Sequence, residues 1–285
     1  MPYQVLGYDL LDVCLNQPEK LATTAFSQPA ILVTTLATLE KARSAEPGAA
    51  APGVNIAGVT HAAGFSLGEY SALIFSGAFS FEDGVRLIKQ RAEGMQVAAN
   101  ETTGSMITVV GLTDEKVKSL CADAITACND SATTKTIAVA NYLFPQGRVL
   151  SGHKELCRWV ADNAITPKYG AMVANELSVA GAFHSSYMAP ARDGLHALLD
   201  EMVINMPRIS VYSNVTGRPY GSVEEIRDLL VKQLESPVHW EQTIKGMISQ
   251  DHVGAFIDAG PGSQLKTMMR RIDKKAFSKT VVLDR

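Results

Sequence analysis

The fold of this 285-residue chain can be inferred from one stretch, Gly64-Phe65-Ser66-Leu67-Gly68-Glu69-Tyr70-Ser71-Ala72. Its first five residues fit the pattern G-x-S-x-G, which places a serine on a sharp turn between a strand and a helix. An apolar run ends at Ala63 and helix formers begin at Leu67, as that turn requires. We expect a Cβ at either flanking glycine to clash with the backbone. The alternative is an ordinary turn in which Ser66 only caps the helix.

A serine on this turn would be a nucleophile, and the Leu67 N–H at the helix start could donate to a developing oxyanion. Such a serine needs a base, and the chain has six histidines. His184 differs from the others because it follows a loop of small residues and precedes a helix start. Loops on a rigid scaffold often hold catalytic groups. A packed or surface histidine is the alternative reading of His184.

The order of the predicted strands and helices divides the chain into two kinds of segment. Residues 104–180 alternate in the order strand, helix, strand, strand, helix, strand, which is the split βαβ arrangement. The flanking segments read as helices with a few short buried strands, near 56–63, 209–214 and 255–258. We therefore predict an α/β protein whose large domain comprises 1–100 and 181–285, with a small subdomain over 101–180 inserted in it.

One arginine lies on the apolar face of a helix predicted over 81–99. At about 100° per residue, Arg91 falls in the arc that Leu87, Ile88 and Met95 define. A buried guanidinium needs an anion, because leaving it unpaired costs several kcal/mol. That anion is a structural Asp or Glu or the carboxylate of a substrate, unless Arg91 snorkels at the edge of the core.

Gln233 shows the same anomaly on a helix predicted over 223–234, within the face that Ile226, Leu229 and Leu230 form. Ser236-Pro237 ends that helix, so its last carbonyl groups lack intrahelical partners. Such a carbonyl could orient an imidazole in place of a triad aspartate. An amide that is hydrogen-bonded inside the core is the alternative.

Composition excludes several classes of protein. With 46% apolar and 19% charged residues the chain is globular rather than disordered. A net charge of −3 argues against a nucleic acid as the partner. The longest apolar run, 30–39, is shorter than the roughly 20 residues that span a bilayer, so we expect a soluble chain without membrane insertion.

The cysteines indicate reduced, buried thiols. None of the four belongs to a Cys-x-x-Cys pair, so neither a disulfide framework nor a structural zinc site is expected. These residues are Cys14, Cys121, Cys128 and Cys157. Residues 1–11 show no basic segment followed by an apolar run, and no signal peptide is predicted.

Five motifs together resemble segments of the malonyl-CoA:acyl-carrier-protein transacylases, in the same order and over nearly the whole chain. They are residues 64–72, Gln90-Arg91-Ala92-Glu93-Gly94-Met95-Gln96, Gly181-Ala182-Phe183-His184, Gln233-Leu234-Glu235-Ser236-Pro237-Val238-His239-Trp240 and Gly260-Pro261-Gly262. Phe65 and Asn141-Tyr142-Leu143-Phe144-Pro145 are most similar to the animal mitochondrial form. The family's fold is a hydrolase-like parallel-sheet domain with an inserted ferredoxin-like (βαββαβ) subdomain.

The resemblance implies a role for each matching residue. Ser66 would be the acylated nucleophile and His184 its general base. Arg91 would bind the malonyl carboxylate. The backbone carbonyl of Gln233 would orient the His184 imidazole, and the Leu67 N–H would supply one oxyanion donor.

Two further residues would line the substrate pocket by the same resemblance, Asn141 and Phe183. Phe183 beside the base matches family members that prefer malonyl to methylmalonyl groups, because its bulk leaves little room for a branched α-carbon. No metal or redox cofactor is implied.

The chain departs from the family pattern at its beginning. Family members start with a strand followed by Phe-Pro-Gly-Gln-Gly, whose glutamine N–H is the second oxyanion donor, and nothing here matches it. Gly7-Tyr8-Asp9-Leu10 resembles a segment that lies further in. We therefore expect a truncated chain without that strand, that donor or a mitochondrial presequence. One missing donor typically costs about 10² to 10³ in rate, and a missing strand leaves backbone groups unpaired.

The predicted function is transfer of malonyl from malonyl-CoA to the phosphopantetheine thiol of acyl carrier protein, through a malonyl-serine ester, for fatty acid synthesis. One rival is a serine esterase or thioesterase, which would need a late histidine such as His252 and a triad acid such as Asp228 or Asp258. The other is a catalytically impaired, truncated relative that acts as a binding protein.

Location and partners follow from the resemblance. We expect a mitochondrial protein, otherwise a cytoplasmic one, that acts as a monomer. A basic group near the end of the chain could attract an acidic carrier protein, or could be a solvated helix face. It consists of Lys266, Arg270, Arg271, Lys274 and Lys275.

Overall fold

The computed structural model describes residues 2–45, 54–129 and 134–283. Helices dominate its first hundred residues. The helices are α1 (Pro2–Leu6), α2 (Leu10–Asn16), α3 (Thr24–Ser44), α4 (Leu67–Phe75) and α5 (Phe81–Glu101), with 3₁₀ turns at Pro18–Ala22 and Ile56–Gly58 and one short strand, β1 (His61–Ala62). Apolar residues of α3, α4 and α5 share one core cluster that includes Leu32, Leu73 and Leu87. Burial of these side chains holds α5, and with it Arg91, against α4.

An antiparallel sheet follows, built from β2 (Gly104–Val110), β3 (Ile137–Phe144), β4 (Gly147–His153) and β5 (Val173–Glu176). Its spatial order is β3-β4-β2-β5, and helices α6 (Asp114–Cys128) and α7 (Lys154–Asn163) connect its strands. Side chains from the sheet and both helices form a core of their own. This is the ferredoxin-like arrangement that the strand and helix order predicts. The bounds 101 and 180 of a separate subdomain stay a prediction.

The last third of the chain returns to helices and short parallel strands. It contains a 3₁₀ turn at Ser186–Ala191, α8 (Arg192–Glu201), β6 (Ser210–Val211), α9 (Val223–Gln233), α10 (Trp240–Ser249), β7 (Phe256–Asp258), α11 (Gln264–Ile272), α12 (Lys274–Ser278) and β8 (Thr280–Val282). β6 pairs in parallel with β1, and β8 pairs in parallel with β7. The predicted class, a parallel α/β domain with an inserted ferredoxin-like sheet, is confirmed.

The strand expected over 56–63 is largely absent. Its first residues form a 3₁₀ turn instead, because the Asn55 side chain accepts a hydrogen bond from the Gly58 N–H at 3.2 Å and turns the chain. Only His61 and Ala62 pair as a strand, and the strand expected over 209–214 likewise shortens to Ser210–Val211. Even so, these two short strands determine the position of the site.

Candidate active site

The carboxyl ends of β1 and β6 bring Ser66 and Asn214 together. The two strands are parallel, with His61 opposite Ser210, so both chains leave the sheet at the same edge. Ser66 follows the end of β1 and Asn214 follows the end of β6. The Ser66 N–H donates to the Asn214 side-chain carbonyl at 2.7 Å, and the Asn214 amide donates to the Gly64 carbonyl at 2.7 Å. One buried asparagine therefore bonds both sides of the serine turn.

Ser66 has a strained backbone. Its φ is 50° and its ψ is −100°, in the left-handed half of conformational space that non-glycine residues rarely occupy. This conformation ends the turn and starts α4 at Leu67. The serine therefore lies on a sharp turn between a strand and a helix, as the G-x-S-x-G pattern predicts.

The two glycines of the motif differ in their surroundings, and the expectation that both exclude a Cβ is wrong for one of them. A Cβ at Gly64 would lie 1.9 Å from the backbone of Gly68, so the close approach of two chain segments requires glycine there. A Cβ on Gly68 would meet no heavy atom within 4 Å outside its own helix. Gly68 lies within α4 and its side of the helix is open.

His184 contacts Ser66 directly. Its Nε2 lies 2.8 Å from the Ser66 Oγ, and its Nδ1 lies 2.9 Å from the Gln233 backbone carbonyl. A carbonyl only accepts, so Nδ1 carries the proton and Nε2 presents its lone pair to the serine hydroxyl. Gln233 is the last residue of α9, where a carbonyl has no intrahelical partner. The predicted orienting carbonyl is in place.

Burial keeps the His184 imidazole neutral. Desolvation first, and the Arg91 charge second, lower its pKa to about 4 against the hydrogen bonds to the backbone of Gln233 and Ser236. At neutral pH the imidazole is therefore unprotonated and free to accept a proton from Ser66. The φ of His184, 57°, is a second strained conformation in this site.

Arg91 is buried beside the serine. Its side chain is 1% exposed, its Nη2 donates to the Ser66 Oγ at 3.0 Å and to the Gln233 Oε1 at 2.9 Å, and its Nη1 donates to the Gln28 Oε1 at 2.6 Å. The Tyr70 ring lies 5.1 Å from the guanidinium carbon. Within the described part of the chain Arg91 forms no ion pair with an Asp or Glu, and its Nε has no hydrogen-bond partner. Neutral amides and a ring contact this cation, so Arg91 neither snorkels nor pairs directly with an acid.

Of the two predicted pocket residues, Phe183 adjoins His184 in the chain and Asn141 lies on β3 of the antiparallel sheet. Phe183, next to His184, packs on the main core and on a small cluster of Met106, Ala140 and Val149 from the antiparallel sheet. Asn141 follows Ala140 on β3, whose chain pairs with Val238 just beyond Gln233. The Asn141 side-chain nitrogen is buried and has no hydrogen-bond partner among the described residues. A buried amide donor of this kind is costly unless something else accepts from it.

Four residues around the site were not predicted from the sequence: Gln28, Glu69, Asn214 and Tyr220. Gln28 and Asn214 contact Arg91 and Ser66 across more than sixty residues of chain. Glu69 was within the quoted motif, and its charge in the first turn of an otherwise apolar helix was a usable signal. Asn214 is the last residue of a predicted parallel strand. The carboxyl ends of such strands form the sheet edge at which α/β proteins usually bind their ligands.

The triad of a classical esterase is not assembled here. Ser66 contacts His184 rather than His252, and the Nδ1 of His184 faces a carbonyl instead of a carboxylate. Asp258 binds the backbone N–H groups of Gly260 and Lys266. The esterase reading therefore loses its predicted histidine and one of its predicted acids.

A family model described as "Acyl transferase domain" matches residues 3–283. The chain belongs to this acyl transferase family. It is 37% identical over 280 residues to the mitochondrial malonyl-CoA-acyl carrier protein transacylase of Mus musculus, covering 96% of this chain and 71% of the relative. The resemblance drawn from the five motifs, including that to the animal mitochondrial form, is confirmed.

Solved structures agree with this assignment. An acyl carrier protein S-malonyltransferase from Vibrio cholerae is 32% identical and superposes with a TM-score of 0.85, covering 99% of this acyl transferase and 86% of that chain. A malonyl-transacylase solved in complex with a type II PKS acyl-carrier protein is 31% identical, with a TM-score of 0.84 over 99% of this chain and 84% of that one. No helix among residues 2–45, 54–129 and 134–283 is both long and apolar enough to cross a membrane.

Proposed function

We propose that this acyl transferase moves a malonyl group from malonyl-CoA to the phosphopantetheine thiol of acyl carrier protein, through an ester on Ser66. The names of its relatives support the reaction. The observation that carries it is the buried Arg91 guanidinium, which touches the Ser66 hydroxyl while bound only to neutral groups. A cation so placed matches an acyl group with a free carboxylate, which it can bind through paired N–H···O bonds.

In the first half-reaction the Ser66 Oγ attacks the thioester carbonyl as its proton passes to the His184 Nε2. The Leu67 N–H, at the first position of α4 and without an intrahelical partner, donates to the developing oxyanion. The C–S bond then breaks, and the coenzyme A sulfur takes the proton from His184. The product is malonyl-Ser66 and free coenzyme A.

The second half-reaction runs the same steps in reverse with another thiol. The phosphopantetheine thiol gives its proton to His184, its sulfur attacks the ester carbonyl, and the C–O bond to Ser66 breaks as the proton returns to Oγ. Arg91 contributes twice in this scheme. It selects the dicarboxylic acyl group, and it holds the ester where a thiol rather than water reaches it.

Phe183 and Asn141 set the limits of the pocket in this proposal. Phe183, packed on two clusters at once, is held in place and restricts the α-carbon of the acyl group. The unpartnered Asn141 amide is available to an acceptor on the bound substrate.

Carrier-protein docking and location are the finer parts of the proposal. Arg270, Arg271, Lys274 and Lys275 are exposed on α11 and α12, where they would attract an acidic carrier protein. The mitochondrial name of the mouse relative supports a mitochondrial location. No cofactor enters the scheme, since malonyl-CoA is a substrate and the phosphopantetheine belongs to the partner. We expect the chain to act as a monomer.

Intact-protein mass spectrometry tests this function. After incubation with malonyl-CoA we expect one malonyl adduct, which is absent from Ser66→Ala and disappears when phosphopantetheine-loaded carrier protein is added. An adduct that hydrolyses rapidly without a thiol would favour the esterase. A folded chain that gains no adduct would contradict the proposal and favour a binding protein.

A further inference from the structure

Glu69 is a fully buried carboxyl group that follows the nucleophile by three residues. It lies in the first turn of α4, is 0% exposed and has no place in the reaction scheme above. Its Oε1 accepts from the Tyr220 hydroxyl and, at 3.1 Å, from the Asn214 N–H. Its Oε2 accepts from the side-chain amide of Gln233 at 2.5 Å. A charge-bearing group is costly to bury, so a network of this completeness calls for an explanation.

The Gln233 side chain stands between Glu69 and Arg91. Its Nε2 donates to Glu69 and, at 3.0 Å, to the Ser66 backbone carbonyl, while its Oε1 accepts from the Arg91 Nη2. Turning the amide over would set its oxygen against two acceptors and its nitrogen against a donor. The orientation is thus dictated by Glu69 and the Ser66 carbonyl together. It also holds whether or not Glu69 is ionised, because a protonated carboxyl keeps an oxygen that accepts from the Gln233 amide.

We propose, resting on the function proposed above, that Glu69 is a positioning residue: it fixes the Gln233 amide as a neutral spacer that directs Arg91 at Ser66 and leaves the cation without a directly bound carboxylate. In its ionised form Glu69 also offsets the buried positive charge from behind the amide. A carboxylate in direct contact with Arg91 would occupy the N–H groups that the substrate carboxylate needs. The neutral amide accepts from Nη2 as well, but it does not cancel the charge that attracts the substrate carboxylate, which can displace it more easily than it could displace an acid.

The most direct test exchanges the two groups in the double variant Glu69→Gln/Gln233→Glu. The composition and net charge of the site are unchanged, but a carboxylate now contacts Arg91. We expect the ratio of malonyl-CoA to acetyl-CoA acylation rates at Ser66 to fall about tenfold or more, the size of one lost charge-assisted interaction. A neutral fluorophosphonate reacts with Ser66 whatever the acyl preference, so its labelling of the double variant shows whether the Ser66–His184 pair is still assembled.

A control and a second variant complete the experiment. Tyr220→Phe removes a hydrogen bond from the other Glu69 oxygen and should keep the wild-type ratio. If the double variant loses fluorophosphonate labelling, Gln233→Glu alone decides. In that single variant the two adjoining carboxyls share one proton, and the negative charge settles on the introduced carboxyl because it is nearer Arg91, so the ratio should fall.

An unchanged ratio in the deciding variant, or an equal fall in Tyr220→Phe, would overturn the role of Glu69. That result differs from a failure of the proposed function. If the wild-type chain itself gains no malonyl adduct, the function falls and this inference with it. If it is malonylated but the exchange leaves the ratio unchanged, only the spacer is refuted.

Discussion

The Nη2 atom of Arg91 lies 3.0 Å from the Oγ atom of Ser66. The cation is fully buried, yet the hydrogen bonds that hold it come from the two amide oxygens of Gln28 and Gln233. Dipoles of this kind lower the cost of burying a charge without cancelling it. The guanidinium therefore remains an anion-binding group, and the nucleophile lies at its edge.

The two glycines of the serine turn give a matched pair of variants. Gly64→Ala forces a Cβ to 1.9 Å from backbone and should destabilise the chain by about 3 kcal/mol or more. Gly68→Ala places its methyl group in open space within a helix and should be neutral or stabilise by up to about 1 kcal/mol. Urea unfolding followed by circular dichroism measures both. Equal effects would refute this account of the turn.

The strain at Ser66 predicts an unusually strong preference for glycine over alanine. At an ordinary helix N-cap glycine is the more stable of the two by about 1 kcal/mol. At a φ of 50° the difference should be larger, so Ser66→Gly should unfold at a clearly higher urea concentration than Ser66→Ala. Neither variant has a nucleophile, and any difference between them reports the backbone alone. A difference of about 1 kcal/mol or less would show that the turn is relaxed.

The depressed pKa of His184 predicts an unusual pH profile. A base whose pKa is about 4 stays unprotonated as the pH is lowered from 7 to 5, so the rate of Ser66 acylation should stay constant over that range. The rate should fall to half near pH 4, whereas an ordinary histidine would give a midpoint near 6.5. The experiment uses acetyl-CoA as the acyl donor, because the acetyl group carries no carboxyl whose own titration would add to the profile. Rapid-quench mass spectrometry after a brief pH jump gives the rates.

Arg91→Ala supplies the control for this profile. The Arg91 charge is the second cause of the depressed pKa, after desolvation, so its removal should shift the midpoint upward. A wild-type midpoint at 6.5, or a midpoint that Arg91→Ala does not move, would contradict the assigned environment of His184.

Local anomalies made the central residues predictable from the sequence. Ser66 belongs to a motif, and Arg91 and Gln233 are polar residues on apolar helix faces. Such signals can be recognised without knowledge of the fold. Burying a polar side chain costs free energy, so a polar residue on an apolar helix face indicates a specific partner. The order of strands and helices likewise predicted the ferredoxin-like sheet, whose core is built from residues of that one segment.

The rest depends on contacts between distant segments. Gln28 meets Arg91 and Asn214 meets Ser66 only because α3 packs on α5 and β1 pairs with β6. No local pattern marks Gln28, and only its place at the end of a predicted strand marks Asn214. The prediction of a strand over 56–63 was wrong because of a local contact instead. The Asn55 side chain accepts a hydrogen bond from the Gly58 N–H and turns the chain, although the residues that follow are apolar.

The central claim, that Arg91 binds the free carboxylate of the acyl group on Ser66, is tested most directly by comparing two acyl donors on two proteins. Wild type and Arg91→Ala are each incubated with malonyl-CoA and with acetyl-CoA, and the adduct on Ser66 is followed by intact mass. We predict that Arg91→Ala loses about 10- to 100-fold in malonyl transfer, as for a lost charge-assisted pair, while acetyl transfer is kept or increased. An equal loss for both donors would contradict the claim.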